Sequence, residues 1–404
     1  FPDSRPTGHV SPLPGYGFLR PTDLLLPTGQ ASANNNDSIR LSLLTCAPGE
    51  EIYSLFGHTA IRYENSSQGI DVVFNYGLFS FNTPNFIFRF SLGETDYQLG
   101  ATDYERFAAE YAFFGRSVWQ QTLNLTDEEK TELIRLLQEN YRPENRVYRY
   151  NFFYDNCATR PRDKIEESIA GKVIYPAEPQ DGSLTFRDIV HQYCKGHPWA
   201  RFGIDLCIGS EADQPITQRQ MMFAPFYLMD AFDGAQIKGD SIQRPLITAN
   251  ELIVDATPEP DESDWMPTPL QCSLLLFILT AAATIYGIRR RTGLWGIDLF
   301  LFGIAGIVGC VLAFLALFSQ HPAVSSNFLL LVFHPGQLLF LPYIIYCVRK
   351  GKKCWYLTLN LAVLTLFIVL FPVIPQRFDF AVVPLALVLL IRSASNLIVT
   401  SKKK

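Results

Sequence analysis

The sequence predicts an α+β domain over residues 37–265, followed by a transmembrane region of five helices over residues 266–404. Three observations support this fold class. The first part alternates between segments with the two-residue period of strands and segments with helical spacing. The second part holds five apolar runs, each near the ~20 residues that cross a hydrocarbon core. Short basic clusters follow every second run, as is typical of multi-pass membrane proteins.

Composition excludes several functional classes. Hydrophobic residues make up 48% of the 404 residues and charged residues 18%, and the net charge of −5 gives no support to nucleic-acid binding. The sequence has no P-loop, GxGxxG, HExxH, EF-hand or zinc-type Cys/His motif. We therefore expect no nucleic-acid partner, no metal and no cofactor.

The first 36 residues are rich in Pro, Gly, Ser and Asn and show no periodicity. Leu24-Leu25-Leu26 followed by Ala31-Ser32-Ala33 is similar to the end of a secretory signal, although the charged start and the full apolar region are missing. We expect residues 1–36 to be a disordered start, either a signal remnant or a linker.

The α+β domain is predicted to be a small antiparallel sheet with helices packed around it. Thr126 and Glu129 match a capping box that opens a helix ending near Asn140. The other predicted elements are strands at 38–45, 57–63, 70–76 and 146–153, a short helical segment at 50–56, and helices at 104–114 and 158–170.

The transmembrane helices are predicted near 271–288, 294–318, 328–348, 355–374 and 380–399. Backbone polar groups have no water to bind in a bilayer, so each span must be helical. His334-Pro335-Gly336 falls inside the third span, where Pro and Gly should loosen the helix.

The basic residues predict the orientation. Clusters at 289–291, 349–353 and 402–404 follow the first, third and fifth spans, whereas the loop at 319–327 has no Lys or Arg. By the positive-inside rule the clusters are cytoplasmic. Residues 37–265 are then outside the cytoplasm, and we expect a multi-pass membrane protein with a cytoplasmic C-terminus.

Polar residues near the spans have two interpretations. For Asp298 and Arg392 we favour snorkelling or mutual pairing over a function. His321 and Asn327, in an outer loop, either support helix packing or line a path for a lipid head group or substrate. Both interpretations stay open for these two residues.

Cys157 is the candidate nucleophile. It follows a predicted strand and opens a predicted helix, with Asp155 or Asn156 as the N-cap. A helix N-terminus favours a thiolate, and its N–H groups can donate to an oxyanion. Arg160 and Arg162 add positive charge. The alternative is a buried structural cysteine or a disulfide partner.

His58 is the candidate base, because it enters a strand directly after Gly57. A base needs an orienting group, and Asn75 on the returning strand should lie roughly opposite His58. The alternative is a core histidine. In an oxidising compartment Cys194 and Cys207 could form a disulfide, and Cys46 is interpreted as a buried strand-end residue.

These residues resemble a known family. Leu41–Arg62 (LSLLTCAPGEEIYSLFGHTAIR), Phe74–Gly77 (FNYG) and Asn151–Arg160 (NFFYDNCATR) are similar to bacterial Lnb-type lipoprotein N-acyltransferases. The order of His then Cys also resembles the permuted papain-like (NlpC/P60-like) superfamily, which includes lecithin:retinol acyltransferases. The resemblance covers nearly all of the chain after residue 37.

The resemblance implies a function. Cys157, with His58 and Asn75, would take an acyl chain from a membrane phospholipid as a thioester and pass it to the α-amino group of a diacylated lipoprotein's N-terminal cysteine. The predicted substrate-binding residues are Asn156, Arg160, Tyr154, His321 and Asn327. The aromatic stretch at 78–90 either lines an acyl groove or packs in the core.

Two other functions remain open. The same residues could serve a hydrolase that cleaves peptidoglycan peptides or lipid esters, although five spans exceed the single anchor that a wall substrate requires. The chain could also be a non-enzymatic membrane scaffold, in which case Cys157→Ala would be fully functional.

Overall fold

The fold was analysed in a computed structural model that describes residues 38–79, 84–176, 184–239, 243–256 and 266–401. The predicted disordered start therefore lies outside the described residues. The chain divides into two compact units. The first comprises residues 1–189 and 215–262, and the second comprises residues 190–214 and 263–404.

The first unit is built on a seven-stranded antiparallel sheet with the strand order β10-β5-β1-β2-β3-β4-β6. A three-stranded sheet of order β7-β8-β9 accompanies it. The strands in chain order are β1 (Ile39–Cys46), β2 (His58–Asn65), β3 (Ile70–Leu78), β4 (Asp96–Asp103), β5 (Val118–Leu123), β6 (Val147–Arg149), β7 (Lys172–Ile174), β8 (Gln236–Lys238), β9 (Gln243–Pro245) and β10 (Ile247–Val254).

Helices cover both faces of the large sheet. The helices before the membrane region are α1 (Phe86–Leu92), α2 (Tyr104–Phe113), α3 (Asp127–Tyr141), α4 (Thr159–Ser168), α5 (Phe186–Tyr193), α6 (Pro198–Cys207), α7 (Gln218–Met221) and α8 (Pro225–Asp233). One core joins the sheet to α3, α4 and α8, and a second core joins the opposite face to Phe107 of α2. The predicted α+β class is confirmed.

The predicted capping box is confirmed and begins α3. Glu129 N–H donates to Thr126 Oγ1 over 3.3 Å, and Thr126 N–H donates to Glu129 Oε2 over 2.8 Å. The same buried carboxylate binds Arg244. Thr126 and Glu129 thus fix the start of the helix that covers the core.

Two predicted elements of this unit are wrong. Residues 50–56 form turns rather than a helix, because Ser54 N–H and Leu55 N–H donate to Glu51 O, while Gly49 N–H and Gly57 N–H both donate to Ser54 O and close the segment. The predicted strand at 146–153 is limited to β6. Asn151 Oδ1 accepts from Phe153 N–H and Tyr154 N–H, which closes a turn and ends the strand.

The second unit contains the apolar helices. They are α9 (Pro269–Arg290), α10 (Trp295–Phe318), α11 (Pro335–Leu339), α12 (Leu341–Lys350), α13 (Trp355–Leu370) and α14 (Val382–Ser401). By length and composition, four helices in the described residues can cross a membrane: α9, α10, Trp355–Val373 and α14. A bent pair, Phe328–Leu339 with Leu341–Lys350, makes five if it is counted as one span.

The predicted third span is therefore not a single helix. Its two parts meet at a 74° bend. Pro335 and Pro342 stand at the starts of α11 and α12, where a missing N–H costs no helical bond. The bend lies at Phe340, between α11 and α12, whereas Pro335 and Gly336 begin α11, so their loosening of this span stays a prediction.

Asp298 and Arg392 pair with each other, as the sequence analysis favoured. Arg392 Nε donates to Asp298 Oδ1 over 2.7 Å and Nη2 donates to Oδ2 over 3.1 Å. Arg392 Nη1 also donates to Thr284 Oγ1 over 3.0 Å. Both ionic side chains are buried, and a buried charge is tolerated when it is paired in this way.

Candidate active site

His58 is fixed at the first position of β2 by the glycine that precedes it. Gly57 has a φ of +77°, and a Cβ at this position would lie 2.5 Å from the carbonyl oxygen of Cys46. Cys46 is also the cross-strand partner of His58. Only glycine avoids both the left-handed strain and the clash, so Gly57 sets where His58 enters the sheet.

Asn75 holds the imidazole of His58 from the neighbouring strand. His58 Nε2 and Asn75 Oδ1 are 3.2 Å apart. Asn75 Nδ2 lies 3.4 Å from both Val73 O and Thr102 Oγ1. Because Nδ2 is the donor, Oδ1 must accept, and Nε2 of neutral His58 carries the proton. Nδ1 is then left with the lone pair that a general base needs.

Cys157 lies in a turn that Asn156 holds in place. Asn156 Oδ1 accepts from Ala158 N–H over 2.8 Å and from Thr159 N–H over 2.9 Å. Its Nδ2 donates to Phe152 O over 2.8 Å and to Phe223 O over 2.9 Å. These four bonds use both donors and both acceptor positions of the buried amide. The rigid turn places Cys157 just before α4.

Cys157 meets the strand ends that carry His58 and Asn75. The backbone N–H of Thr59, the residue after His58, donates toward the Cys157 sulphur. A Cβ added at Gly77, two residues after Asn75, would lie 3.4 Å from Cys157 Cβ. Gly77 has a φ of +88°. The structure thus brings the three predicted catalytic residues to one place.

Both reactive groups are neutral near pH 7. Burial raises the pKa of Cys157 to about 11, although N–H groups of Thr59 and Cys157 itself oppose this. Burial and then the positive charge of Arg116 lower the pKa of His58 to about 4, against the bond to Asn75. The prediction of a lowered thiol pKa at the helix start is wrong, because desolvation of the thiolate outweighs the helix end.

Aromatic rings surround the thiol. The rings of Tyr97 and Tyr150 stack with their centroids 4.1 Å apart. The centroid of the Phe79 ring lies 5.0 Å from that of Tyr97. Burial, and then the neighbouring Cys157, raise the pKa of Tyr97 to about 12. Sequence reasoning missed Tyr97 and Tyr150, whereas Phe79 falls in the aromatic stretch at 78–90. Tyr97 has no local signal, and only the β4–β6 register, which pairs it with Tyr148, shows which aromatics meet.

The chain matches two family models. Residues 29–191 match the Lnb N-terminal periplasmic domain, and residues 261–404 match the Lnb transmembrane domain. The chain belongs to the Lnb family. No curated protein and no solved structure matches it significantly.

Membership of the Lnb family establishes a membrane protein with a periplasmic N-terminal domain and a transmembrane C-terminal region. It also supports an enzyme that modifies lipoproteins. Among the described residues, no group of three or more His, Cys, Asp or Glu side chains could hold a metal ion.

Two of the predicted substrate-binding residues, Arg160 and Tyr154, lie near the turn that carries Cys157. Arg160 Nε and Nη2 donate to Asp155 at 2.6 and 2.7 Å. The Arg160 guanidinium also stacks 3.5 Å from the centre of the Tyr148 ring. Tyr154 is 45% exposed and meets Phe186 edge-on. Their role in binding substrate stays a prediction.

The two other predicted substrate-binding residues belong to the second unit. Asn327 is buried, and its Nδ2 donates to Leu206 O over 2.7 Å. Its Oδ1 accepts from Leu329 N–H and from Gln376 Nε2. His321 N–H donates to Ser319 Oγ. A binding role for His321 and Asn327 also stays a prediction.

The aromatic stretch at 78–90 is described only in part. Residues 80–83 and the side chain of Phe86 lie outside the described residues. In α1, Ile87 is 81% exposed, Phe88 59% and Phe90 46%. These three side chains are therefore not core residues, whereas the acyl groove stays a prediction.

The predicted Cys194–Cys207 disulfide is absent. Both cysteines are free thiols, as are the other six in the chain. Cys46 is fully buried at the end of β1, as its position in the sequence indicated.

Proposed function

We propose that this protein is a lipoprotein N-acyltransferase. It moves an acyl chain from a membrane phospholipid, through a thioester on Cys157, to the α-amino group of the N-terminal cysteine of a diacylated lipoprotein. The observation that carries this proposal is the meeting of Cys157, His58 and Asn75, with Asn75 Oδ1 fixing the tautomer of His58. Family membership supports the class of substrate.

In the first half-reaction the Cys157 sulphur attacks the carbonyl carbon of a phospholipid ester. His58 Nδ1 takes the thiol proton during the attack, because both groups start neutral. The tetrahedral intermediate collapses to a Cys157 thioester. The proton passes from His58 to the leaving alkoxide, and a lysophospholipid departs.

The backbone N–H groups of Thr59 and Cys157 are the proposed oxyanion donors. Both already point toward the sulphur, so when the carbonyl carbon bonds to the sulphur, its oxygen comes within their reach. Donors of this kind are fixed before the reaction and need no reorganisation as charge develops.

In the second half-reaction the lipoprotein α-amine attacks the thioester carbonyl. About a tenth of an α-amine with a pKa near 8 is neutral at pH 7. His58 Nδ1 takes the proton that the amine loses and returns it to the departing Cys157 sulphur. The products are an N-acylated lipoprotein and the free enzyme.

Transfer to an amine requires that water does not discharge the thioester first. The stacked Tyr97 and Tyr150 rings and the adjacent Phe79 provide an apolar wall beside Cys157. We propose that the exposed Phe88 and Phe90 of α1 extend this surface toward the acyl chain. Phe88→Asp should then impair lipid use in a folded protein, and unchanged activity would remove the idea.

We further propose that residues 37–265 are periplasmic and that residues 266–404 lie in the inner membrane. The basic clusters at 289–291 and 349–353 follow α9 and α12, which supports cytoplasmic ends for both. A cytoplasmic C-terminus then requires the bent pair to cross as one span. Cysteine labelling from the periplasm at introduced sites 325 and 402 tests this, with label expected only at 325.

The function is tested by intact mass spectrometry of the N-terminal peptide of a reporter lipoprotein. The peptide comes from cells that lack this protein and regain wild type, Cys157→Ala or Cys207→Ala. Cys207 is the matched control because it is a half-buried free thiol outside the site. We expect one added acyl chain with wild type and Cys207→Ala, and none with Cys157→Ala.

Two results would contradict the proposal. A diacylated peptide in every strain would remove acyl transfer and leave the cysteine hydrolase as the leading function. An acylated peptide with Cys157→Ala would show that the thiol is dispensable, as a scaffold role requires.

A further inference from the structure

Arg116 is held beside the entrance of β2. Its Nε donates to Ala47 O over 2.8 Å, and its guanidinium carbon lies 4.8 Å from the centre of the Tyr111 ring. Ala47 follows Cys46, the cross-strand partner of His58. A Cβ added at Gly49 would lie 3.4 Å from Arg116 Cδ. The arginine, which lies between α2 and β5, is therefore held against the loop that leads into β2.

Burial raises the pKa of Glu110 and the nearby charge of Arg116 opposes this, but no ion pair joins these two described side chains. In the described part of the chain no salt bridge includes Arg116, and Ala47 O is the only hydrogen-bond partner of its side chain. Arg62 and Arg160, by contrast, each bind an aspartate through two nitrogens. The Nη groups of Arg116 thus keep donors for a ligand.

The positive charge of Arg116 reaches His58 and two residues around it. It lowers the pKa of His58, and it acts against the raised pKa of Cys46 and of Tyr53. These three residues come from β1, from the loop before β2 and from β2 itself. Arg116 consequently lies at the point where these elements meet.

Exposed apolar side chains flank this cation. Phe113 is 76% exposed and Phe114 59%, at the end of α2, and Gly115 with a φ of +64° then turns the chain to Arg116. Ile52, in the loop that carries Ala47, is 58% exposed. A cation with free donors between exposed apolar groups matches a molecule with one phosphate and long hydrocarbon chains.

We infer that Arg116 binds the phosphodiester of the acyl donor, while Phe113, Phe114 and Ile52 contact its hydrocarbon chains. The inference rests on the proposed function and adds how the enzyme selects its acyl donor. A donor with a phosphate is preferred over an uncharged diacylglycerol that carries the same acyl ester.

The test measures single-turnover acylation of Cys157 by intact mass spectrometry, with the full chain in detergent micelles. The donors are phosphatidylglycerol and a diacylglycerol with the same chains. Arg116→Gln should slow acylation by phosphatidylglycerol about 10- to 100-fold, the range for loss of a charge-assisted pair, and leave the diacylglycerol rate unchanged. Arg135→Gln, an exposed arginine on α3, is the control and should change neither rate.

A second measurement uses the wild type alone, so it does not depend on how a variant folds. Glycerol phosphate should compete with phosphatidylglycerol but not with diacylglycerol, at matched ionic strength. Absence of this competition would overturn the inference. So would an Arg116→Gln variant that slows both donors equally and moves the acid limb of the pH profile, because Arg116 would then act only on His58. If neither donor acylates wild-type Cys157, the proposed function itself fails.

Discussion

Two Cys–His groups of the molecule share residue types but differ in geometry. In the first unit, His58 Nε2 binds the neutral amide of Asn75, and Cys157 stands just before α4. In the second unit, His191 Nε2 lies 2.9 Å from both carboxylate oxygens of the buried Asp205, and Cys194 directly follows α5. Burial, and then the Asp205 charge, raise the pKa of Cys194 to about 11.

The difference supports the proposed roles of a catalytic thiol for Cys157 and a structural thiol for Cys194. Cys194 is 2% exposed and its N–H donates to Val190 O, at the helix end whose dipole disfavours a thiolate. Cys157 is half-buried and stands at the start of a helix, where backbone N–H groups point toward its sulphur. A neutral amide also leaves His58 uncharged and able to accept a proton.

The largest effect is expected at the two cysteines. Cys157→Ala should abolish N-acylation, because no other group forms the thioester, while Cys194→Ala should retain the activity of the wild type. The reporter lipoprotein assay measures both. Loss of activity with a folded Cys194→Ala, or activity with Cys157→Ala, would reverse the assignment of the two groups.

The histidines should separate catalysis from stability. His58→Gln should reduce acylation about 10²- to 10⁴-fold, the range for loss of a general base, with little change in melting temperature. His191→Gln should remove the imidazole that contacts the buried Asp205 and destabilise the fold by about 3 kcal/mol. Single-turnover rates and thermal melts of both variants test this. A His191→Gln variant that is stable but inactive would contradict it.

Asn75→Asp makes the first group resemble the second. The new carboxylate should raise the pKa of His58 from about 4, so the acid limb of the acylation rate moves to higher pH. At pH 7 we expect a loss on the order of tenfold, within the usual effect of a mispaired base. The acylation rate, measured between pH 4 and 9, locates this acid limb. Asn75→Ala should lower the acylation rate without moving the acid limb to higher pH. Equal pH–rate profiles for Asn75→Asp and Asn75→Ala would argue against Asn75 as the orienting residue.

The smallest effect is a dependence of stability on pH. The pKa of folded His58 is lowered to about 4, below the value of ~6.5 expected in the unfolded chain. The unfolded state therefore binds the proton first as pH falls. The contribution of neutral His58 to folding stability is complete above about pH 6.5 and is lost as pH falls toward 4. Melting temperatures should show a weaker pH dependence in His58→Gln. Equal dependence would indicate that His58 is charged in the fold.

Much of the site could be predicted from sequence because its parts are local. Gly57 before His58, the hairpin that returns to Asn75, and the turn before α4 each leave a pattern within a few residues. Cys157 and His58 followed from these patterns, and the capping box at Thr126 followed from a four-residue motif. The basic clusters and apolar runs likewise indicated the spans.

The remaining features depend on contacts between distant segments. The raised pKa of Cys157 comes from burial under residues of several strands, which outweighs the local helix end that the sequence indicated. Arg116 reaches the loop at Ala47 across 69 positions of sequence. Pro335 indicated an irregular third span, but the 74° bend lies at Phe340 and depends on the packing of the folded unit.

The most direct test of a Cys157 acyl-enzyme is a two-step mass measurement on the purified full chain. Phosphatidylglycerol is added first, and a synthetic diacylated lipopeptide with a free N-terminal cysteine is added second. We predict that the protein gains the mass of one acyl chain on the Cys157 peptide. It should then lose that mass to the lipopeptide amine faster than to water. A thioester that discharges only to water, or no adduct on Cys157, would contradict acyl transfer through this residue.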